Sequence, residues 1–286
     1  TVGGGAANEA ASDYAVVAGG RYNSGNARYA VVAGGRSNFA VSDVSAIGGG
    51  WGNTATASYG VISGGYYNTN YGYVSTIAGG HTNRAAGNGA TVGGGVDNEA
   101  ASDYTVVAGG RHNFGNASYA VVAGGFSNTN RGYATSIGGG YSNSAAAFYA
   151  VIAGGLSNSN DGDWSVISGG QLNVVGAPLG AVSGGKGNAI SGGGYSGSIG
   201  GGENNIATAP YAAIAGGYSN VNMGNSASIG GGWRNNVTAT YGAVAGGYAN
   251  ANNGNGVNNS NGIRGNNGIG YGSSNGSGGG GNGSPS

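Results

Sequence analysis

The chain contains no cysteine, three prolines, one methionine and only nine residues of each charge sign among its 286. Without cysteine there is no disulfide framework and no thiolate metal site. Charged residues make up 6% of the chain, about a quarter of ordinary usage, and they cancel to zero net charge. Such a chain has no field with which to gather nucleic acid or an anionic membrane surface. No run reaches the roughly 18 apolar residues that a membrane-spanning helix needs. No GxxxxGK[ST] phosphate loop occurs. The sequence begins at Thr1 rather than Met, and reads as a processed chain or a segment of a longer one.

Glycine, by contrast, is abundant at 71 residues, and tyrosine reaches 19 within an aromatic share of 9%. That is too aromatic and too apolar for a plain disordered linker. The glycines are periodic. From TVGGGAANEAASDYA through VVAGGRYNSGNARYA and VVAGGRSNFAVSDVS, the chain divides into units of 15 residues. Twelve units run to Gly180, a 17-residue unit follows at Ala181, and the frame resumes at Ser198 to end near Val257. Across these 17 units position two is always Val or Ile, positions four and five are Gly-Gly, and position eight is Asn. A coarser rhythm repeats NEAASDY of 8–14 at 98–104, a duplication of six units. Residues 258–286 form a Gly/Asn/Ser-rich tail of low complexity, with nothing to bury.

A period of this kind signals a repeat architecture. Two or three glycines per unit exclude a helix, at about 1 kcal/mol each in a helix interior. The run Y-A-V-V-A-G-G instead predicts a short β-branched strand closed by a Gly-Gly turn with positive φ. Alternation places position 15 on the face of the Val/Ile, and positions 14 and 1 on the other. With a second, weaker strand near positions 8–12, each unit is one coil of a parallel β-solenoid. The expected fold is all-β: 17 stacked coils over residues 1–257, a rod of roughly 80 Å, followed by the tail. Stacking turns each recurrent position into a column. The Asn column reads as a structural ladder in which side-chain amides bond one another and the turn backbone, beginning Asn8, Asn23, Asn38, Asn53, Asn68, Asn83, Asn98, Asn113. One assured large apolar residue per coil makes a thin core, and Tyr and Val on the opposite face stay exposed. The outward face is therefore expected to pack against further copies of the chain, most simply as a trimer.

The pattern [VI]-x-G-G-x-x-N with a Y/S-A lead-in resembles the head repeats of trimeric autotransporter adhesins, the YadA-like β-rolls. Similar repeats occur in phage tail fibres. The likeness spans Thr1 to about Val257, although Gly-Gly stands where one Gly is usual and the invariant Asn is this chain's own. It implies a left-handed parallel β-roll, three chains side by side, and an extracellular adhesive or fibre role at a cell surface.

Catalysis finds little in the sequence. His81 and His112 occupy different positions two coils apart, with no carboxylate or Ser expected beside them, and read as solvated surface residues. Asp161 and Asp163 in SNDGDW occur once and lack a completing Glu, so a turn is expected rather than a calcium loop. Neither a metal nor a cofactor is implied. Position 13 of the first coils, Asp13, Arg28 and Asp43, predicts an alternating charge ladder that fixes register. Position six carries the bulkiest side chains: Arg21, Arg36, Trp51, Tyr66, Arg111, Phe126, Tyr141, Tyr218, Trp233 and Tyr248. Such a column is a candidate for lateral packing or for stacking on glycans. An ice-binding face would need a regular Thr column, and Thr here is scattered.

Two functional expectations follow. The first is an extracellular structural or adhesive fibre protein that self-assembles from solenoid rods, as a surface filament or a trimeric adhesin head. The alternative is a receptor- or glycan-binding module of the tail-fibre kind using the position-six column. The uncovered first coil and the tail favour end-to-end assembly, with the tail lying along a rod.

Overall fold

The computed structural model describes residues 1–254, together with the backbone of a last strand at Asn258–Asn259. The tail, and with it the expectation that it lies along a rod, falls outside the described residues. The chain is an all-β parallel solenoid of about sixteen turns with a 15-residue repeat. Every named strand is two residues long. One parallel ladder joins positions nine and ten, from Glu9–Ala10 to Ala251–Asn252. A second joins positions one and two, from Val16–Val17 to Asn258–Asn259. The register is one coil throughout, as in Val16↔Val31 and Glu9↔Ser24. A third column, not expected from the sequence, consists of single bridges at position six, from Ala6↔Arg21 to Trp233↔Tyr248. In the long coil the register becomes Ala181↔Ser198, so its two extra residues bulge out between Ile190 and Ser198 without disturbing the ladders.

Strands this short follow from three turns per coil. The first is set by the glycine at position five. At Gly110 φ is +87°, and a Cβ would meet the carbonyl oxygen of Gly125 at 2.2 Å. The glycine at position four is different, and the two do not share one role. A Cβ at Gly109 would meet nothing within 4 Å, so this position is uncrowded, although in other coils, as at Gly4, Gly49 and Gly94, φ of +147° to +154° still favours glycine. The other two turns lie at positions seven and 14, where non-glycine residues hold φ between +52° and +62°. Tyr14, Tyr29, Val44 and Trp164 are examples. Position 14 therefore lies in a turn and not in the strand that the Y-A-V-V run suggested. The Ala15 N–H donates to Ser12 O at 3.1 Å, which closes a type II turn with Tyr14 at its third position. Left-handed backbone costs a side-chain-bearing residue about 1 kcal/mol. A stacked aromatic pair returns about 0.5–1.5 kcal/mol, so a column of stacked tyrosines offsets the cost of its own turns.

The core is narrow. Positions two, eight, ten and 15 point inward, and Ile62, Ile77, Val92 and Val107 are wholly buried. Positions ten and 15 share one space within a coil. Val175 and Val237 at position ten meet glycine at 15, and Ile190 meets Gly197 at the end of the long coil; a Cβ on Gly180 or Gly242 would lie 2.7 Å from the Val Cγ1 of its own coil. Asn70, Asn130 and Asn160 at position ten face a hydroxyl at 15, whereas Asn222 faces Ala227 and donates to its carbonyl at 2.8 Å. Ser75, Thr135 and Ser165 each hydrogen-bond the Oδ1 of the Asn they face. The space is thus filled by a large–small pair, by a satisfied polar pair, or by two small residues such as Ala145 and Ala150.

Candidate functional site

The Asn at position eight is the most completely bonded side chain of the coil. Asn98 is 1% exposed. Its Nδ2 donates to Gly94 O at 2.9 Å in its own coil and to Gly110 O at 2.8 Å in the next. Its Oδ1 accepts the Asn113 N–H at 3.0 Å, while its own N–H donates to Asn83 Oδ1 at 3.0 Å. The same set recurs at Asn23, Asn38, Asn53, Asn68, Asn83 and Asn113, and half-buried Asn8 at the first coil makes the three side-chain bonds of the set. The amide is needed because it alone combines one acceptor with two donors aimed at carbonyls. No catalytic geometry is formed by this column.

The position-six side chains do form a surface column, and they are largely engaged with one another. Phe126 and Tyr141 stack at 5.1 Å and 8°, and Tyr66 stacks on His81 at 4.9 Å and 17°. Trp51 meets Tyr66 edge-on at 5.1 Å. Arg36 lies over the Trp51 ring and Arg111 over Phe126, while Arg21 turns onto Tyr22. Tyr218, Trp233 and Tyr248 are tilted at 45–50° to one another. Partial desolvation, and then the neighbouring Tyr67 hydroxyl, raise the Tyr66 phenol above its ordinary value. A ring stacked between coils turns its faces along the rod axis and presents only edges outward.

A second aromatic column stands at position 14. Tyr14 and Tyr29 stack at 4.9 Å and 9°, Tyr104 and Tyr119 at 5.3 Å and 10°, Tyr149 and Trp164 at 4.1 Å and 19°. Tyr133 bridges Tyr119 and Tyr149 edge-on. Five rings from Tyr104 to Trp164 are thereby in contact. The recurrence of Tyr at position 14 and its outward direction were visible in the sequence, but assigning it to a strand hid the turn at which it stands.

The charged residues are distributed otherwise than expected. Asp43 Oδ1 accepts the Arg28 N–H at 3.2 Å, and the Arg28 guanidinium lies over Tyr29. Asp103 and Asp163 accept the Asn88 and Phe148 N–H groups in the same way. Position 13 thus fixes register through backbone hydrogen bonds instead of alternating charge. His112 also departs from the sequence reading, since its Nδ1 lies 3.7 Å from Asp97 Oδ2 of the preceding coil. Among the described residues, groups of three or more His, Asp or Glu side chains able to hold a metal ion do not occur. Nor is any helix there long and apolar enough to cross a membrane.

One further surface carries no charge along its whole length. Positions one, three and four form it: Val, Thr, Ala or Ser at one; Gly, Ala or Ser at three; Gly at four. Over its last coils it deepens into an open trough of about 600 Å³ lined by Ala181, Ser198, Ala213, Ser228 and Ala243 with their neighbours. No protein-family model matches the chain, and no curated protein is similar to it.

Proposed function

We propose that this chain is an extracellular structural or adhesive fibre protein, a solenoid rod that acts by self-assembly and surface display. The observation that carries this reading is the uninterrupted uncharged face of positions one, three and four, with Val16, Val31 and Val166 exposed by 37–39%. A contiguous apolar surface of this length is uncommon on a solitary soluble protein and marks an interaction site. A trimeric adhesin head remains within this reading through the resemblance of the repeat.

The position-six column gives less support to a glycan platform. Sugar rings stack on free aromatic faces, and Phe126, Tyr141 and Tyr66 have theirs against neighbours. The column is better suited to stabilising the rod and meeting a neighbouring rod by its edges. Electron microscopy of the purified chain tests the proposal. Fibres, sheets or discrete multimers are expected, with rods of roughly 80 Å as their unit. Single thin particles at micromolar concentration would overturn it.

A further inference from the structure

Two corners of the coil hold side-chain-bearing residues in left-handed backbone, and the two are filled differently. At position seven the non-glycine residues have φ of +52° to +57° and are chiefly small or polar, among them Ser37, Ser127, Ser142 and Ser157. At position 14 φ is almost the same, +52° to +62°, yet the residue is chiefly Tyr, with Val44, Val74, Trp164 and Leu179. The backbone of such a corner therefore does not call for bulk. Ring stacking accounts for Tyr14 with Tyr29 and for Tyr104 with Tyr119. It does not account for Val44 and Val74, which carry no ring and whose branched Cβ makes positive φ a marked outlier. Nor does burial: these bulky side chains stand exposed by 39% at Val44 to 73% at Tyr241. Strained backbone that holds apolar side chains in water marks a site serving something outside its own coil.

Resting on the self-assembly reading above, we infer that the ridge of position 14 is the anchor by which rods pack side by side, and that its partner is a second copy of this chain. Spacing is the first reason. The ridge presents one side chain per coil, about every 4.8 Å, and a second rod carries the same spacing, so the side chains of one ridge seat between those of the other coil after coil. Charge is the second. Positions 14 and one bear no charged residue in any described coil, which leaves a nucleic acid or an ionic partner nothing to read, whereas a second copy offers a matching uncharged strip. Val16, Val31 and Val61, two residues on from Tyr14, Tyr29 and Tyr59, widen that strip toward the face of positions three and four. Area is the third. A strip three residues wide over about sixteen turns covers on the order of 800 Å² on each chain, the share that each partner contributes to a stable interface. The rings also point the right way. Tyr14 and Tyr29 lie face to face at 9°, so they offer edges that interdigitate and no free face on which a sugar could stack. Tyr and Trp are the side chains most used as such anchors.

Trp164 stands in the ridge and is 60% exposed in the single rod. With Trp51→Phe and Trp233→Phe it becomes the one tryptophan of the full chain, and its emission reports the ridge alone. As concentration rises through assembly, followed by sedimentation, the emission is expected to shift to shorter wavelength and its quenching by acrylamide to fall several-fold. Assemblies in which Trp164 stays as quenchable as in the monomer would take the ridge out of the contact and overturn the inference, while leaving self-assembly standing. A chain that is monomeric at every concentration would overturn both. A second set of variants reads the ridge as a whole: Tyr104→Asn, Tyr119→Asn, Tyr149→Asn and Trp164→Asn in one chain. Asn tolerates positive φ, so the rod is expected to keep its circular dichroism while the association constant falls by about tenfold or more. The matching change at the other corner, Tyr22→Asn with Tyr67→Asn and Leu172→Asn, is expected to leave association as it was. Unchanged association in the first set, or an equal loss in the second, would overturn the inference.

Discussion

At the scale of the residue, the position-eight Asn shows why one side chain can be fixed in every coil without touching a ligand. Replacing Asn98 by Asp keeps the shape but points a carboxylate at the Gly94 and Gly110 carbonyls that the amide now serves. The buried carboxylate favours its neutral form, so its folded pKa rises above the unfolded value. Stability is then retained at pH below the unfolded value and lost as pH climbs through the raised one. Asn98→Asp is expected to cost about 3 kcal/mol or more at pH 8 and clearly less at pH 4, read from thermal melts against wild type at each pH. Equal losses at both would show that the carbonyls are not the cause. The two glycines of the turn separate in the same way. Gly110→Ala forces a Cβ to 2.2 Å from a carbonyl oxygen and is expected to lower the melting temperature sharply, while Gly109→Ala, opening on free space, leaves the melt of the rod itself nearly unchanged.

At the scale of the coil, positions ten and 15 act as one volume. Gly180→Ala places a Cβ 2.7 Å from Val175 Cγ1 and is expected to cost about 1–3 kcal/mol by overpacking. Val175→Ala alone opens a cavity and costs about as much. The double change recreates the Ala145/Ala150 pair of another coil, in which both alanines are fully buried. It is expected to recover most of the loss in a double-mutant cycle, and strict additivity would show that the two sites are independent. This coupling was on the page in the sequence, as Asn with Ser or Thr and Val with Gly five residues apart. It was illegible there because nothing in one strand of text says that the chain returns to the same space after a turn. The left-handed residues at positions seven and 14 were hidden for a related reason. Tyr, Val and Trp favour extended backbone, and only the hydrogen bonds of the turn override that preference.

At the scale of the molecule, the ladders rather than charge hold the rod. The three ion pairs among the described residues, Arg84–Glu99, His112–Asp97 and Lys186–Glu203, all lie on the surface. Exposed pairs contribute little and are screened by salt. The melting temperature is therefore expected to move by no more than about 2 °C between dilute buffer and 1 M NaCl, measured by circular dichroism. A large fall would reveal an electrostatic contribution that the surface pairs do not account for. The lateral association proposed above, made through an uncharged surface, is expected to be insensitive to ionic strength, in contrast to an assembly steered by opposite charges.

The sequence by itself determined the frame, the inward set of positions two, eight and 15, and the parallel solenoid. A repeat writes into residue type whatever each coil must share with the identical coil above it. Only the tertiary structure decided which of the two glycines is crowded by the next coil, where the tyrosine column turns, and that the rings of position six are stacked against one another. Those depend on the sign of φ and on the direction of ring planes, and neither property is a function of residue identity alone.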